Sequence, residues 1–188
     1  MEPVRHIDDR QAAKSVGNGM TFCHDLTEDA EIQTAIRMLS DSVAVRLRQN
    51  GQYCQTVQLT VKTPDLRCCN RQQPLRSASN LSREIADAAI ELLHKTHRDG
   101  APIRMLTVTA AALTDREGGE QTSLFEDTAP GMHQKLQQLE NTMDGIRKKY
   151  GKTSIKLGSL LQNTFTLPAE HAEQEISTKK SKKNEKEY

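Results

Sequence analysis

Alternation of apolar and polar positions predicts four strands in this chain. The first spans residues 14–22, where one side is bulky and the other is uniformly small. The bulky side holds Val16, Asn18, Met20 and Phe22, and the small side holds Ser15, Gly17, Gly19 and Thr21. In the second strand, residues 53–62, we expect Tyr53, Val57, Leu59 and Val61 inward and Thr56, Gln58, Thr60 and Lys62 outward. Residues 66–76 give a weaker third strand, and residues 103–113 give a fourth.

Helical spacing of apolar residues predicts a helix after the first strand and another after the third. The first helix has Thr27 as its N-cap and ends at Gly51, with Ile32, Ile36, Leu39, Val43 and Leu47 inward. The second helix has Asn80 as its N-cap and ends near Gly100, with Leu81, Ile85, Ala88, Ala89, Leu92 and Leu93 buried. The order βαββαβ predicts an α+β fold with two helices on one face of a four-stranded sheet. The other face must meet solvent or a ligand.

A third helix is predicted over residues 132–150 from a short heptad seam. The seam residues are Met132, Leu136, Leu139, Met143, Ile146 and Tyr150. Because it is shorter than three heptads, docking on its own domain or on a partner is favoured over a coiled coil.

Composition predicts one compact domain with extensions. Only 35% of the chain is hydrophobic and 3% aromatic, and the mean hydropathy is -0.70, so we do not expect a core that spans all 188 residues. Residues 1–13 are expected to be a linker, 14–115 the domain, and 116–131 a flexible acidic segment. Residues 151–188 are expected to be mostly disordered, because the stretch from Pro168 onward has low hydrophobicity and equal numbers of lysine and glutamate. The alternative interpretation of the lysines is a nuclear-type localisation signal.

The sequence carries no motif that would support catalysis on its own. It lacks a GxxxxGK[ST], GxSxG or HExxH pattern and a carboxylate pair framed by strand residues. Its four cysteines include no CxxC, and His94 and His97 have no evident third ligand, so no metal site is predicted. No apolar run reaches the length of a membrane helix and no leader is present, so we expect a cytoplasmic protein without membrane contact.

The small side of the first strand is the most informative surface. Lys14, Ser15, Gly17 and Gly19 leave backbone amides unshielded, as contacts to an anionic backbone require. The alternative is that the glycines only permit a bulge or an edge bend, and from this strand alone the two interpretations are equally supported. Arg67 and Arg71 are expected on one side of the third strand, and Arg104 opens the fourth. Such a surface suits nucleic acid, although a domain of zero net charge also fits a merely solvated face.

These segments together resemble the little-finger domain of Y-family, DNA polymerase IV-like translesion polymerases. The resemblance rests on KSVGNGMTF, YCQTVQLTVK, NRQQPL, LSREIADAAIELL and IRMLTVTAAAL, and LENTMDGIRKKYGKTSI extends it to about residue 160. It implies that the domain contacts DNA phosphates through Lys14, Ser15, Gly17, Gly19, Arg71 and Arg104. Arg67 is added as a DNA-binding candidate because of its spacing from Arg71. The resemblance also implies that the catalytic palm, with its Mg²⁺, belongs to a polymerase core preceding residue 1 or supplied separately, and that this chain holds no cofactor.

The segment EQTSLFED places Leu124 beside Phe125 where nothing nearby can bury them. The stretch QTSLF, residues 121–125, is similar to the short motif by which bacterial polymerases bind the sliding clamp. The resemblance implies that Gln121, Ser123, Leu124 and Phe125 bind the clamp through two apolar anchors and an orienting amide. The hypothesis is a DNA-binding and clamp-tethering part of a polymerase. The alternative is a free-standing regulator that competes for the clamp, and an RNA-binding module is disfavoured because the strands carry few stacking aromatics.

Overall fold

The computed structural model describes residues 13–97, 100–115, 132–156 and 158. Its four strands are β1 (Ser15–Leu26), β2 (Tyr53–Lys62), β3 (Cys68–Ser79) and β4 (Ile103–Thr114). Its three helices are α1 (Asp29–Gln49), α2 (Ser82–Thr96) and α3 (Met132–Tyr150). The element order is the predicted βαββαβ followed by a helix, so the α+β fold class is confirmed.

The strands form one antiparallel sheet in the order β1-β4-β2-β3, with α1 and α2 packed on one face. We call that face the helix face and the opposite one the open face. The core lies between the helix face and the helices. Its fully buried members include Leu39, Val57, Ile85, Leu106 and Val108. All five inward positions predicted for the first helix are buried, because they recur at the spacing of one helical stripe.

Helix α1 ends as the sequence predicts but begins one residue later. Gly51 has φ +65, and its N–H donates to the Arg48 carbonyl while the Gln52 N–H donates to the Leu47 carbonyl. These bonds satisfy the last carbonyls of the helix with a left-handed glycine. The N-cap is Glu28 rather than Thr27, and no side chain caps it. The Thr27 prediction is therefore wrong.

Strand β2 departs from the predicted alternation at its first residues. Cys54 is fully buried and Tyr53 only half-buried, whereas Val57, Leu59 and Val61 are buried as expected. The pairing of β2 with β3 shifts register between Cys54 and Thr56, and this irregularity interrupts the two-residue period. The prediction that Tyr53 points inward is therefore wrong, whereas the predictions for Val57, Leu59 and Val61 are confirmed.

Helix α3 docks on its own domain, and charged side chains hold it there. The Arg48 side chain is 5% exposed; its Nε lies 2.7 Å from Asp144 Oδ2, and its Nη1 donates to Glu140 Oε2. A second guanidinium, that of Arg147, lies 3.0 Å from Asp41 Oδ2 on α1. Of the two alternatives for this helix, docking on its own domain is the one observed.

The N-terminus of α2 is capped by a residue of α3. Glu140 accepts hydrogen bonds from the Ser82 N–H at 3.0 Å and from the Ser82 hydroxyl at 2.6 Å. A carboxylate at this position also opposes the positive end of the helix dipole. The helix has Leu81 at its N-cap, without a side-chain cap, so the prediction of Asn80 as cap is wrong.

Several sequence predictions lie largely or wholly outside the described residues. These are the linker 1–13 apart from Ala13, the clamp segment 116–131, and the tail beyond residue 158. Residues 151–156 are described and form a turn, in which the Ser154 N–H donates to the Gly151 carbonyl. Among the described helices, none combines the length and apolar character needed to cross a bilayer.

Candidate functional site

The open face carries one row of side chains from each strand. Paired residues of an antiparallel sheet project their side chains to the same face, so the register identifies the rows. They are Ser15, Gly17, Gly19 and Thr21 of β1; Ala111, Thr109, Thr107 and Met105 of β4; Thr56, Gln58, Thr60 and Lys62 of β2; and Pro74, Gln72, Asn70 and Cys68 of β3. Among these paired positions Lys62 is the only charged residue. At these described positions the open face is therefore rich in hydroxyls and amides and has no carboxylate.

Gly17 and Gly19 do not form a bulge. Pairing between β1 and β4 is unbroken from Ser15 to Thr21, and neither glycine has a positive φ. The alternative that these glycines permit a bulge is therefore wrong. The register shift of β1 comes later, between Thr21 and Leu26.

The space a side chain would need at either glycine is taken by threonines of β4. A Cβ on Gly17 would lie 2.8 Å from Thr109 Oγ1, and one on Gly19 would lie 3.1 Å from Thr107 Cβ and 3.2 Å from the Leu106 carbonyl oxygen. The glycines thus let the two threonines lean across β1. They also keep the β1 backbone accessible from the open face.

Two observations indicate that the peptide groups of Gly17 and Gly19 point away from β4. The Arg46 guanidinium donates to the Gly17 carbonyl oxygen at 3.0 Å, although α1 lies on the other face of the sheet. The short separations to Thr107 and Thr109 are typical of non-hydrogen-bonded pairs, in which both residues turn their peptide groups outward. Since β1 is an edge of the described sheet, the N–H groups of these glycines face the edge.

The predicted arginines do not lie on the open face as a group. Arg71 is paired with the buried Leu59, so its side chain leaves β3 on the helix-face side, where it is exposed. Arg67 precedes β3 in a turn, where its carbonyl accepts from the Thr63 N–H. The prediction that Arg67 and Arg71 share one side of a strand is therefore wrong. Spacing along a strand shows which residues share a side, but only the register with β2 shows which of the two sides faces the helices.

Arg104 lies at the start of β4, where its charge is already partly balanced. Its Nη1 is 3.3 Å from Asp25 Oδ1, and the arginine side chain is 42% exposed. The two residues come from neighbouring strands at the point where the β1–β4 register shifts. Arg104 is accessible, but it contributes less positive potential than an unpaired arginine would.

Lys14 and Ser15 are exposed at the start of β1, as the sequence predicts. The residues that sequence reasoning missed are Thr107 and Thr109, which flank the glycines, and Lys62 as a candidate contact. Lys62 was identifiable as outward from its alternation, whereas the two threonines become neighbours of the glycines only through the β1–β4 pairing. Within the described ranges, no group of three His, Cys, Asp or Glu side chains could hold a metal ion.

The fold and site define a class of protein: a βαββαβ domain in which no described helix covers one sheet face, and the paired positions of that face carry no acid. Residues 13–124 match the impB/mucB/samB family C-terminal domain, and the chain belongs to this family. It is 34% identical over 161 residues to DNA polymerase IV of Acetivibrio thermocellus and 35% identical over 162 residues to DNA polymerase IV of Bacillus anthracis. The resemblance to the little finger of DNA polymerase IV-like proteins is thereby confirmed.

The alignment with the Acetivibrio protein covers 86% of this chain but only 40% of that relative, and the alignment with the Bacillus protein covers 84% of this chain and 38% of that relative. The chain therefore spans about two fifths of the length of these relatives. Among solved structures, one described as a complex of the beta-clamp processivity factor and the little finger domain of PolIV is 17% identical, with a TM-score of 0.45. That similarity covers 60% of this chain and 99% of the other.

Proposed function

We propose that this chain is the non-catalytic C-terminal part of a translesion DNA polymerase, which holds duplex DNA on its open face and binds a sliding clamp through residues 121–125. The observation that carries the DNA-binding part is the glycine row of β1. There the backbone amides of Gly17 and Gly19 face the sheet edge with no side chain of their own to cover them. Main-chain N–H groups and hydroxyls are common donors to DNA phosphates.

Contacts of this kind fix the position of a duplex without reading its sequence. A polymerase that moves along its template needs such sequence tolerance. Lys14 precedes the glycine row and Lys62 lies on the open face, so these two lysines supply the positive charge. Ser15, Thr107 and Thr109 add hydroxyl donors beside the glycines.

The proposal is tested by the salt dependence of DNA binding. Fluorescence anisotropy with a labelled primer–template duplex gives the affinity of the full chain across a series of salt concentrations. Each phosphate neutralised contributes a slope of about −0.9 in log K against log salt. We therefore expect Lys62→Ala to weaken binding and to make the slope shallower by about 0.9.

Arg71→Ala is the matched control, because it removes an exposed cation from the helix-face side of the same sheet. We expect it to leave both affinity and slope close to those of the original chain. Equal effects of the two substitutions would contradict the assignment of DNA to the open face. Arg104→Ala is expected to have an intermediate effect, since Asp25 offsets its charge.

The clamp-binding part rests on sequence, because Gln121, Ser123, Leu124 and Phe125 lie outside the described residues. Two adjacent apolar anchors and a glutamine suit a peptide that docks in a preformed pocket. Retention on an immobilised bacterial sliding clamp tests it directly. We expect Leu124→Ala with Phe125→Ala to abolish retention and to leave DNA affinity unchanged.

The control is Leu139→Ala, which removes an apolar side chain that is 56% exposed on α3. This variant should be retained by the clamp as well as the original chain. Full retention of the Leu124→Ala, Phe125→Ala variant would refute the proposed motif. Clamp retention without measurable DNA binding would instead favour the alternative of a free-standing clamp competitor.

A further inference from the structure

A cysteine, a histidine and a glutamate meet where β1 becomes irregular. Between the paired positions Thr21 and Leu26, β1 advances five residues while β4 advances two, from Met105 to Ile103. The strict alternation of β1 is lost there, and the consecutive residues Cys23 and His24 are both exposed. The two neighbouring side chains can therefore contact each other, which a regular strand would prevent.

The three groups are ordered as nucleophile, base and orienting carboxylate. Cys23 Sγ lies 3.5 Å from His24 Nδ1, and His24 Nε2 lies 2.9 Å from Glu31 Oε1 in the first turn of α1. An ionised carboxylate only accepts, so Glu31 selects the tautomer whose proton is on Nε2. In that tautomer Nδ1 is the acceptor and faces the thiol.

The electrostatics agree with this geometry. The hydrogen bond with His24 lowers the pKa of the Cys23 thiol, and the bonds to Cys23 and then to Glu31 raise the pKa of His24. Two of the neighbouring acids already have partners: Asp25 is paired with Arg104 of β4, and Asp29 of α1 with His94 of α2. Glu28, the N-cap residue of α1, is a further acid in the same connection. Burial, by contrast, raises the pKa of Cys54 to about 12.

We propose that Cys23 is a nucleophilic thiol prepared by His24 and Glu31, and that it is the preferred site of covalent modification in this chain by peroxides and soft electrophiles. With hydrogen peroxide, His24 takes the thiol proton and the sulfur attacks one oxygen. The O–O bond breaks as a sulfenic acid forms. The departing hydroxide takes the proton from His24 and leaves as water, so sulfur loses two electrons and peroxide gains them. This proposal is independent of DNA or clamp binding.

The matched control is present in the same chain. Cys68 is also a free, exposed cysteine, but within the described residues no histidine hydrogen-bonds to it. Alkylation of the folded full chain by limiting iodoacetamide, followed by quantitative peptide mass spectrometry, gives the rate at each cysteine in one sample. We expect Cys23 to react several-fold faster than Cys68 at neutral pH. The gain in thiolate is partly offset by a loss of intrinsic nucleophilicity, because a thiolate of lower pKa is a weaker nucleophile, so the net excess is moderate.

Variants then separate the cluster from simple exposure. His24→Gln should lower the Cys23 rate to that of Cys68, and Glu31→Gln should lower it part of the way, while the Cys68 rate stays constant. His94→Gln, which removes another exposed histidine paired with an aspartate, should change neither rate. Equal rates at Cys23 and Cys68 in the original chain would overturn the proposal, as would an unchanged Cys23 rate in His24→Gln.

Two measurements on the original chain keep the test decisive if a variant fails to fold. The alkylation rate of Cys23 should rise at lower pH than that of Cys68, and coincident profiles would contradict the proposal. After brief exposure to hydrogen peroxide, a dimedone probe for sulfenic acid should label Cys23 before Cys68. Equal labelling of the two cysteines would also overturn it.

Discussion

Replacing Gly19 by alanine tests why β1 carries glycine next to β4. The new Cβ would lie 3.1 Å from Thr107 Cβ and 3.2 Å from the Leu106 carbonyl oxygen, and it would overlap Thr107 Oγ1. Rotation of the threonine relieves only the last of these contacts, because the other two involve Cβ and backbone. We therefore expect β1 and β4 to separate slightly at this pair.

The size of the effect follows from two opposing terms. Overpacking costs about 1–3 kcal/mol, and replacing glycine by alanine recovers about 0.4–1 kcal/mol through the entropy of the unfolded chain. The net expectation is a loss of about 1–2 kcal/mol in the free energy of unfolding. At Gly17 the Thr109 carbons would lie 3.5 Å away, an ordinary contact, and only Oγ1 is close, at 2.8 Å. Gly17→Ala should therefore be nearly neutral.

Urea unfolding of the two variants and of Gly19→Ala with Thr107→Ala provides the measurement. The double variant should regain part of the lost stability, because it removes the Thr107 hydroxyl, which is the group closest to the new Cβ. Equal stability of Gly17→Ala and Gly19→Ala would refute the steric reasoning. DNA affinity of the folded double variant then answers a separate question: affinity equal to that of Thr107→Ala alone would show that close approach to the Gly19 amide is not required.

Three further predictions concern the helices and the core. Glu140→Ala should lower the free energy of unfolding, measured by chemical denaturation, by about 2–4 kcal/mol, because it leaves Arg48 and the α2 N-terminus without this partner. Glu140→Gln should lower it less. A smaller loss in Glu140→Ala than in Glu140→Gln would contradict this explanation. Gly145→Ala should increase the free energy of unfolding by about 1 kcal/mol, because nothing lies within 4 Å of the added Cβ in α3. The increase should appear as a higher melting temperature. The raised pKa of Cys54, about 12 against 9.0, means that the unfolded thiol ionises first. Stability should therefore fall as pH rises from about 9 towards 12, with a gentler decline in Cys54→Ala, and identical pH profiles would rule out this linkage.

The elements themselves could be predicted from sequence because their signals are local. The stripe of apolar residues in α1 and the alternation in β2 each follow from the period of one element. Residues 132–150 were predicted as a helix and form α3 with those bounds. The strands were less accurate at their ends: β1 continues to Leu26 and β3 to Ser79, through irregular sections where the alternation that defines a strand is absent.

What the sequence could not predict depends on contacts between elements. The Arg71 side chain would lie on the open face only if β3 paired with β2 in a different register from the one observed. The cap of α2 comes from Glu140, 58 residues away, so no inspection of residues near Ser82 could identify it. The site residues follow the same division. Gly17 and Gly19 stood out locally, whereas their threonine neighbours on β4 required the strand order.

The zero net charge of the domain does not by itself argue against the proposed DNA binding, because the layered fold distributes the charges unevenly. Residues 1–115 carry equal numbers of basic and acidic side chains, 14 of each. The sheet separates them unevenly, because its open face has Lys62 and no carboxylate among the paired positions, while acids such as Glu84 and Asp87 lie on α2 of the opposite face. A helix is about 10 Å in diameter, and the screening length at physiological salt is about 8 Å. Acids on the outer surface of the helix layer are therefore largely screened from a phosphate on the open face. Local distribution of charge, rather than its sum, decides whether such a surface can hold DNA.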